Sequence, residues 1–184
     1  GRLSTKGLDD FFEIYALELG SSTNANVLKK IFKEAYLKHD NLADATRYLA
    51  NSLFASQGLV ILDADNADLK RAFIPYIKEE LESQSSYKAV QETIEKLKDY
   101  TIQVNPREIN LFYIEDELRE RIVFENGKYR VNNTRIEFAG REIFDLLESN
   151  PEKFSPNVIM RPLYQEIILP NLCYIGGGGE IAYW

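Results

Sequence analysis

The stretch FSPNVIMRPLYQEIILPNLCYIGGGGEIAYW, residues 154–184, decides the predicted fold. Within it, residues 158–160 form a short apolar run typical of a strand. Pro162 suits the first residue of a helix, and Pro170 is expected to end that helix. Residues 172–175 then predict a buried strand that leads through four glycines into another helix. Strands that alternate with helices in this way indicate an α/β fold with a parallel sheet.

The same strand-to-helix pattern occurs earlier in the chain. Residues 58–62, GLVIL, form a continuous apolar run rich in branched side chains, which predicts a strand buried in a parallel sheet. Asp65 or Asn66 is expected to cap the helix that follows, and a further amphipathic helix is expected over residues 87–97. The strand and the helix after it make half of a βαβ unit.

The first 55 residues predict helices only. Apolar side chains recur at spacings of three and four, so each helix has one apolar face. The polar run at residues 21–24 separates the first helix from the second and offers a cap for the second, and Asn41 is expected to cap a third. We expect these faces to pack together, because exposed apolar stripes of this size are uncommon.

Residues 100–138 have the pattern of β-structure instead. Residues 101–104 and 109–114 predict strands, and the dipeptide Asn126-Gly127 between two further strands is the strongest short-range hairpin signal. A tight turn joins antiparallel strands only, so this region predicts a small antiparallel insertion. The predicted organisation is a helical segment with Rossmann-like strand and helices (1–99), a connecting-peptide-like β insertion (100–149) and a return to the Rossmann-like core (150–184).

Composition excludes several classes of function. A net charge of -7 argues against nucleic-acid binding, which needs a basic face. One His and one Cys rule out an internal disulfide and metal sites built from several such ligands. No apolar run approaches the roughly 20 residues of a membrane span, and a lone Cys fits a reducing cytoplasm. Cys173 lies in a predicted strand, so we expect it to be buried and inert.

The glycine run is the first candidate site. Gly176, Gly177, Gly178 and Gly179 precede a predicted helix, whose free N–H groups would suit a phosphate or carboxylate. No Lys-Ser/Thr pair follows them, so the run is not a Walker loop, and Glu180 would repel an anion. The alternative is a tight turn in which small residues allow close packing.

Two further candidates are polar loops. Asp63 and Asp65 follow the predicted strand at the sheet edge where α/β proteins bind ligands, and could hold a ribose, an ammonium or a metal-bound water. The alternative for them is a helix cap in a solvated loop. Asn105 and Arg107 lie in the turn NPREIN, residues 105–110. Arg107 could bind a carboxylate bidentately, or be a surface residue of a turn.

Arg161 is the fourth candidate. It precedes a helix N-terminus, where positive charge is unfavourable unless an anion or a Glu compensates it. Tyr164 and Gln165 on the first turn of that helix would complete a polar cluster. The alternative is that Arg161 pairs with Glu166 or Glu180.

Residues 154–184 closely resemble the signature stretch of the cysteine ligases of bacillithiol biosynthesis, and residues 58–65 (GLVILDAD) and 104–113 (VNPREINLFY) also look like segments of that family in the expected order. The resemblance spans essentially the whole chain and implies an internal fragment of a longer enzyme. It implies a nucleotide-binding core similar to that of class I aminoacyl-tRNA synthetases, with connecting-peptide insertions. It also implies a C-terminal coiled coil that promotes dimerisation, so the parent enzyme is expected to be a homodimer.

The resemblance further implies the reaction. The family is expected to add cysteine to glucosaminyl-malate, and the activation that amide formation needs suggests ATP or ADP in the whole enzyme. Neither His-x-Gly-His nor Lys-Met-Ser-Lys is present here, and we assign no catalytic residue, metal, nucleic-acid partner or membrane partner. Arg161 and the four glycines would bind malate or phosphate, and Asp63 an amine or ribose. Tyr164, Gln165 and Asn171 would orient the substrate. The alternative is a non-catalytic α/β domain that binds an anionic metabolite or a protein.

Overall fold

The computed structural model describes residues 3–183 and divides into two compact units, one ending at Asp63 and one beginning at Ala64. The described residues of the first unit form three α-helices, as predicted: α1 (Leu8–Leu19), α2 (Thr23–Leu37) and α3 (Leu42–Phe54), with a short 3-10 helix (Ala55–Gln57) after the third.

Local capping decides where the helices of the first unit begin. The Ser22 hydroxyl accepts a hydrogen bond from the Ala25 amide at 3.1 Å, and the Asn41 side chain accepts one from the Asp44 amide at 2.8 Å. Both bonds satisfy N–H groups that have no partner inside the helix. The two caps confirm the predicted starts of the second and third helices.

The second unit contains the remaining helices and all of the strands. Its sheet has the order β4-β3-β2-β1-β5, and every pair in it is antiparallel. The elements are α4 (Ala67–Ser83), α5 (Ser85–Lys96), β1 (Leu111–Glu115), β2 (Leu118–Glu125), β3 (Lys128–Val131), β4 (Glu137–Phe138), α6 (Gly140–Ser149), β5 (Phe154–Pro156), α7 (Arg161–Ile168) and α8 (Gly178–Tyr183).

The predicted hairpin is confirmed. Glu125 pairs with Lys128, and the two residues between them, Asn126 and Gly127, have φ values of 53° and 78°. Positive φ at both central positions is the requirement of the type I′ turn, whose twist matches that of the strands it joins.

The core of the second unit lies between this sheet and the helices α4 and α6. Leu81 from α4 and Leu147 from α6 pack with Ile122 and Val131 from the sheet, and all four are buried. The sheet continues to β5, beyond the predicted insertion of residues 100–149. The three-part division of the chain remains a prediction.

Four local strand predictions are wrong. Residues 58–62, 101–104 and 172–175 are irregular or turn segments, and residues 158–160 form a turn. A strand is held by hydrogen bonds to its neighbours, and the sheet formed by residues 3–183 offers these runs no parallel neighbour. Apolar side chains of these runs are therefore exposed, among them Val60, Leu172 and Ile175. Cys173, predicted to be buried, is exposed for the same reason.

Candidate functional site

Arg161 and Glu180 form the centre of the site predicted at the glycine run. Arg161 begins α7, and its guanidinium donates a hydrogen bond to the carboxylate of Glu180 on α8. That bond, with a smaller contribution from Tyr174, holds the pKa of Glu180 below its usual value. Glu180 is therefore the anion that compensates the positive charge at the start of α7, which is one of the two pairings foreseen for Arg161.

Tyr174 completes this cluster. Partial burial, and then its hydrogen bond with Glu180, raise the pKa of the phenol. The Tyr174 ring also limits the glycine run, because a Cβ added at Gly176 would lie 2.7 Å from its Cε1 atom. A larger residue at position 176 would therefore require the Tyr174 ring to move, so Gly176 allows close packing here, which is the alternative foreseen for the glycines.

The three glycines after Gly176 are different. A Cβ added at Gly177, Gly178 or Gly179 would meet no atom within 4 Å, and none of the three has a positive φ. Neither packing nor backbone conformation of residues 3–183 therefore requires glycine there. Their backbone is open to approach, a property that glycines commonly give to a chain that binds a phosphate or carboxylate.

Tyr164 and Asn171, predicted to orient a substrate, are engaged within the fold. Tyr164 is buried, and its hydroxyl donates to the Ala64 carbonyl at 2.9 Å. The amide and side chain of Asn171 donate to the Glu166 carboxylate at 3.0 and 2.9 Å. Gln165, the fifth residue of α7, is half-buried.

The two aspartates of the predicted strand edge have cationic partners. Asp63 lies 3.1 Å from the Arg47 guanidinium in the first unit. Asp65 lies 3.2 Å from the Nζ atom of Lys70 in the second unit. Each of the two carboxylates therefore forms an ion pair within its own unit.

Lys70 is a buried residue that the sequence predictions missed. Only 1% of its surface is exposed, and its ammonium also donates to the Phe154 carbonyl at 2.6 Å. Through these two interactions Lys70 connects Asp65, in the loop before α4, with Phe154 of β5. The signal for its burial was its spacing of three and seven residues from Phe73 and Ile77, which lie on the buried face of α4.

A second buried group, the carboxylate of Glu80, was also missed. Glu80 has no exposed surface and accepts hydrogen bonds from both its neighbouring helix and the predicted turn at residues 105–110. The donors are the Ser86 amide (2.8 Å), the Ser86 hydroxyl (2.7 Å), the Ser85 hydroxyl (3.4 Å), the Asn110 amide (2.8 Å) and the Asn110 side chain (3.2 Å).

Asn110 fixes the backbone of the turn that carries Asn105 and Arg107. Its side-chain oxygen accepts from the Arg107 amide at 3.0 Å, and its side-chain nitrogen donates to the Arg107 carbonyl at 2.7 Å. The side chains of Asn105 and Arg107 are exposed. Arg107 is therefore a solvent-facing group on a rigid turn, which is compatible with both roles foreseen for it.

An apolar cavity of about 760 Å³ opens in the second unit. Its walls come from α5, from the segment 100–104 and from the start of α7, with Ile94, Ile102 and Leu163 among the lining side chains. A volume of this size is in the range of small-molecule sites, but the lining has few polar groups to orient a polar substrate.

Among residues 3–183, no three His, Cys, Asp or Glu side chains come together in a cluster that could hold a metal ion. The same residues contain no helix long and apolar enough to cross a membrane.

Comparison with known proteins gives a consistent set of relatives. The family model described as bacillithiol biosynthesis BshC, N-terminal Rossmann-like domain, matches residues 1–184. Proteins named as proposed cysteine ligases, BshC, are similar over the whole chain: 79% identical in Flavobacterium johnsoniae and 68% in Flavobacterium psychrophilum. The corresponding protein of Bacillus cytotoxicus is 32% identical over 98% of the chain. The chain spans 35% of the length of the two Flavobacterium relatives.

Proposed function

Because the chain belongs to the BshC family of bacillithiol biosynthesis and is Rossmann-like, we propose that it is the part of a cysteine ligase that binds an acidic group of the substrate. The ligase would join the carboxyl group of cysteine to the amine of glucosaminyl-malate. The names of the relatives support a ligase, and the acidic group would be the malate carboxylates or a phosphate.

One observation carries this proposal: the guanidinium of Arg161 lies at the start of α7, partly exposed, and pairs with Glu180 on α8, the helix that begins within the open glycines. A guanidinium binds carboxylate or phosphate through two parallel hydrogen bonds. An acidic ligand would have to share Arg161 with Glu180 or displace that carboxylate. The backbone amides of Gly177, Gly178 and Gly179 would then add donors.

The reaction itself requires activation of a carboxyl group, since a free carboxylate and an amine do not condense at neutral pH. In the proposed reaction the sugar amine attacks the activated cysteine carboxyl, the C–N bond forms, and the activating group leaves. ATP is the proposed source of activation. We extend the proposal to the whole polypeptide, which would bind ATP or ADP and form a homodimer through a coiled coil.

The decisive experiment uses the whole ligase polypeptide with cysteine, glucosaminyl-malate and ATP, followed by mass spectrometry for the condensed thiol. The expected result is the mass of both substrates less one water. Absence of that product, with both substrates recovered intact, would refute the ligase proposal.

A second candidate function is a protein-binding module without catalysis. It is favoured by the apolar cavity and by the exposure of Leu172 and Ile175, which leave apolar surface uncovered in the described second unit. In that case glucosaminyl-malate would not bind, and a titration of the whole polypeptide with this substrate by calorimetry would separate the two functions.

A further inference from the structure

A buried polar cluster connects the two candidate arginine segments of the second unit. We propose that Asn110 is a positioning residue that sets the backbone of both Arg107 and Arg161 for binding the acidic substrate, with Glu80 as its anchor and Asn157 as its link to α7. The role in substrate binding rests on the proposed function above.

Asn110 is suited to this role because it is fully buried and bonded on every side. Its amide and side chain donate to the Glu80 carboxylate, which fixes the residue against α4. Its side chain also donates to the Ser86 hydroxyl at 2.8 Å. A side chain held by this many bonds cannot change rotamer without leaving buried polar groups unpaired.

Two segments are attached to this fixed residue. On one side, Asn110 holds the amide and carbonyl of Arg107. On the other, its side-chain oxygen accepts from the Asn157 side chain at 2.8 Å, and its carbonyl accepts from the Asn157 amide at 3.0 Å. The same buried amide group therefore locates both segments.

Asn157 passes this constraint to the start of α7. Its side-chain oxygen accepts from the amides of Ile159 (2.9 Å) and Met160 (3.4 Å), and its carbonyl accepts from the Arg161 amide at 2.9 Å. The turn before α7 is thus built on Asn157, which explains why residues 158–160 are not a strand. Asn157 therefore links Asn110 to Arg161, because it forms hydrogen bonds with both residues.

Neither Glu80 nor Asn110 can touch a ligand, since both have no exposed surface. Their effect on binding must act through the arginine backbones. A small displacement of a binding group weakens its interactions steeply, because charge-assisted hydrogen bonds depend on geometry.

The test compares Asn157→Ser with wild type in the whole ligase polypeptide. Serine can still accept from the amides of the following turn, but its side chain is too short to reach Asn110. We expect the KM for glucosaminyl-malate to rise about tenfold and the KM for cysteine to change less than about twofold. Asn110→Ala should have a larger effect of the same kind.

Leu147→Ala is the matched control for stability. Leu147 is fully buried on α6 and belongs to the core rather than to this cluster. The control should lower the melting temperature without raising the KM for glucosaminyl-malate relative to that for cysteine. The positioning role would be overturned if Leu147→Ala also raised the KM for glucosaminyl-malate selectively. It would equally be overturned if Asn157→Ser did not raise that KM relative to the KM for cysteine.

Hydrogen exchange separates this inference from the proposed function. Asn157→Ser should accelerate amide exchange about tenfold in residues 157–163, but not in β2 and β3. If the wild type makes no condensed thiol, the proposed function fails while the exchange result still tests the positioning of Arg161. Unchanged exchange in residues 157–163 would refute the positioning.

Discussion

Replacing Glu80 by glutamine should strongly destabilise the second unit. The carboxylate accepts five hydrogen bonds through its two oxygens, and two of the donors are the backbone amides of Ser86 and Asn110. The two amides donate to different oxygens of the carboxylate. Glutamine replaces one oxygen by an NH₂ group, so in either orientation one backbone N–H must face another donor.

The expected loss follows from these contacts. An unsatisfied buried N–H costs about 1–3 kcal/mol. The remaining hydrogen bonds together weaken by roughly 1 kcal/mol, because glutamine is an uncharged acceptor. Glutamine avoids the desolvation of a carboxylate, which offsets part of that loss. We therefore expect a net loss of about 2 kcal/mol, or roughly 6 °C in melting temperature.

The assay is urea unfolding of the 184-residue chain followed by circular dichroism, with attention to the transition that includes the sheet. Glu92→Gln is the matched control, because Glu92 is an exposed residue of α5 that pairs with Lys96 one turn away. The control should change stability by less than about 0.5 kcal/mol. A loss below about 1 kcal/mol for Glu80→Gln would refute the arrangement of donors described for this carboxylate.

Three other predictions concern separate features. Arg161→Ala in the whole ligase should raise the KM for glucosaminyl-malate at least about tenfold, whereas Arg141→Ala, an exposed arginine of α6, should not; equal kinetics for the two variants would remove Arg161 from the site. Glu180 has a lowered pKa, so its contribution to stability is present above its ordinary pKa of 4.5 and is lost as pH falls through the lower folded value; an NMR titration of its carboxyl carbon that gives a midpoint at or above 4.5 would contradict the Arg161 pair. Gly127→Ala should cost about 1 kcal/mol in urea unfolding, because its φ of 78° is unfavourable for a residue with a Cβ, and a neutral effect would argue against the type I′ turn.

Features that depend on near neighbours in the chain were predictable. The helices of the first unit, the caps at Ser22 and Asn41 and the Asn126-Gly127 hairpin all agree with the structure. Each is determined by a bond or a backbone preference that acts within a few residues.

The buried charges were not predictable in the same way. Lys70 and Glu80 lie on the buried face of α4, where the spacing marks them for burial but gives no partner. Two of their partners, Phe154 and Asn110, stand 84 and 30 residues further along the chain. Only the folded structure brings these groups together.

The sequence by itself determined the family, the helices and the hairpin, because these follow from local patterns or from identity along the whole chain. The tertiary structure decided that residues 58–62 and 172–175 do not form strands. They have the composition of buried strands but no parallel neighbour among residues 3–183. It also decided that Arg161 meets Glu180 and that Asn110 holds both arginine segments. The physical reason is that a strand or a buried polar group is stabilised by partners distant in sequence, whereas a cap or a turn needs only its neighbours.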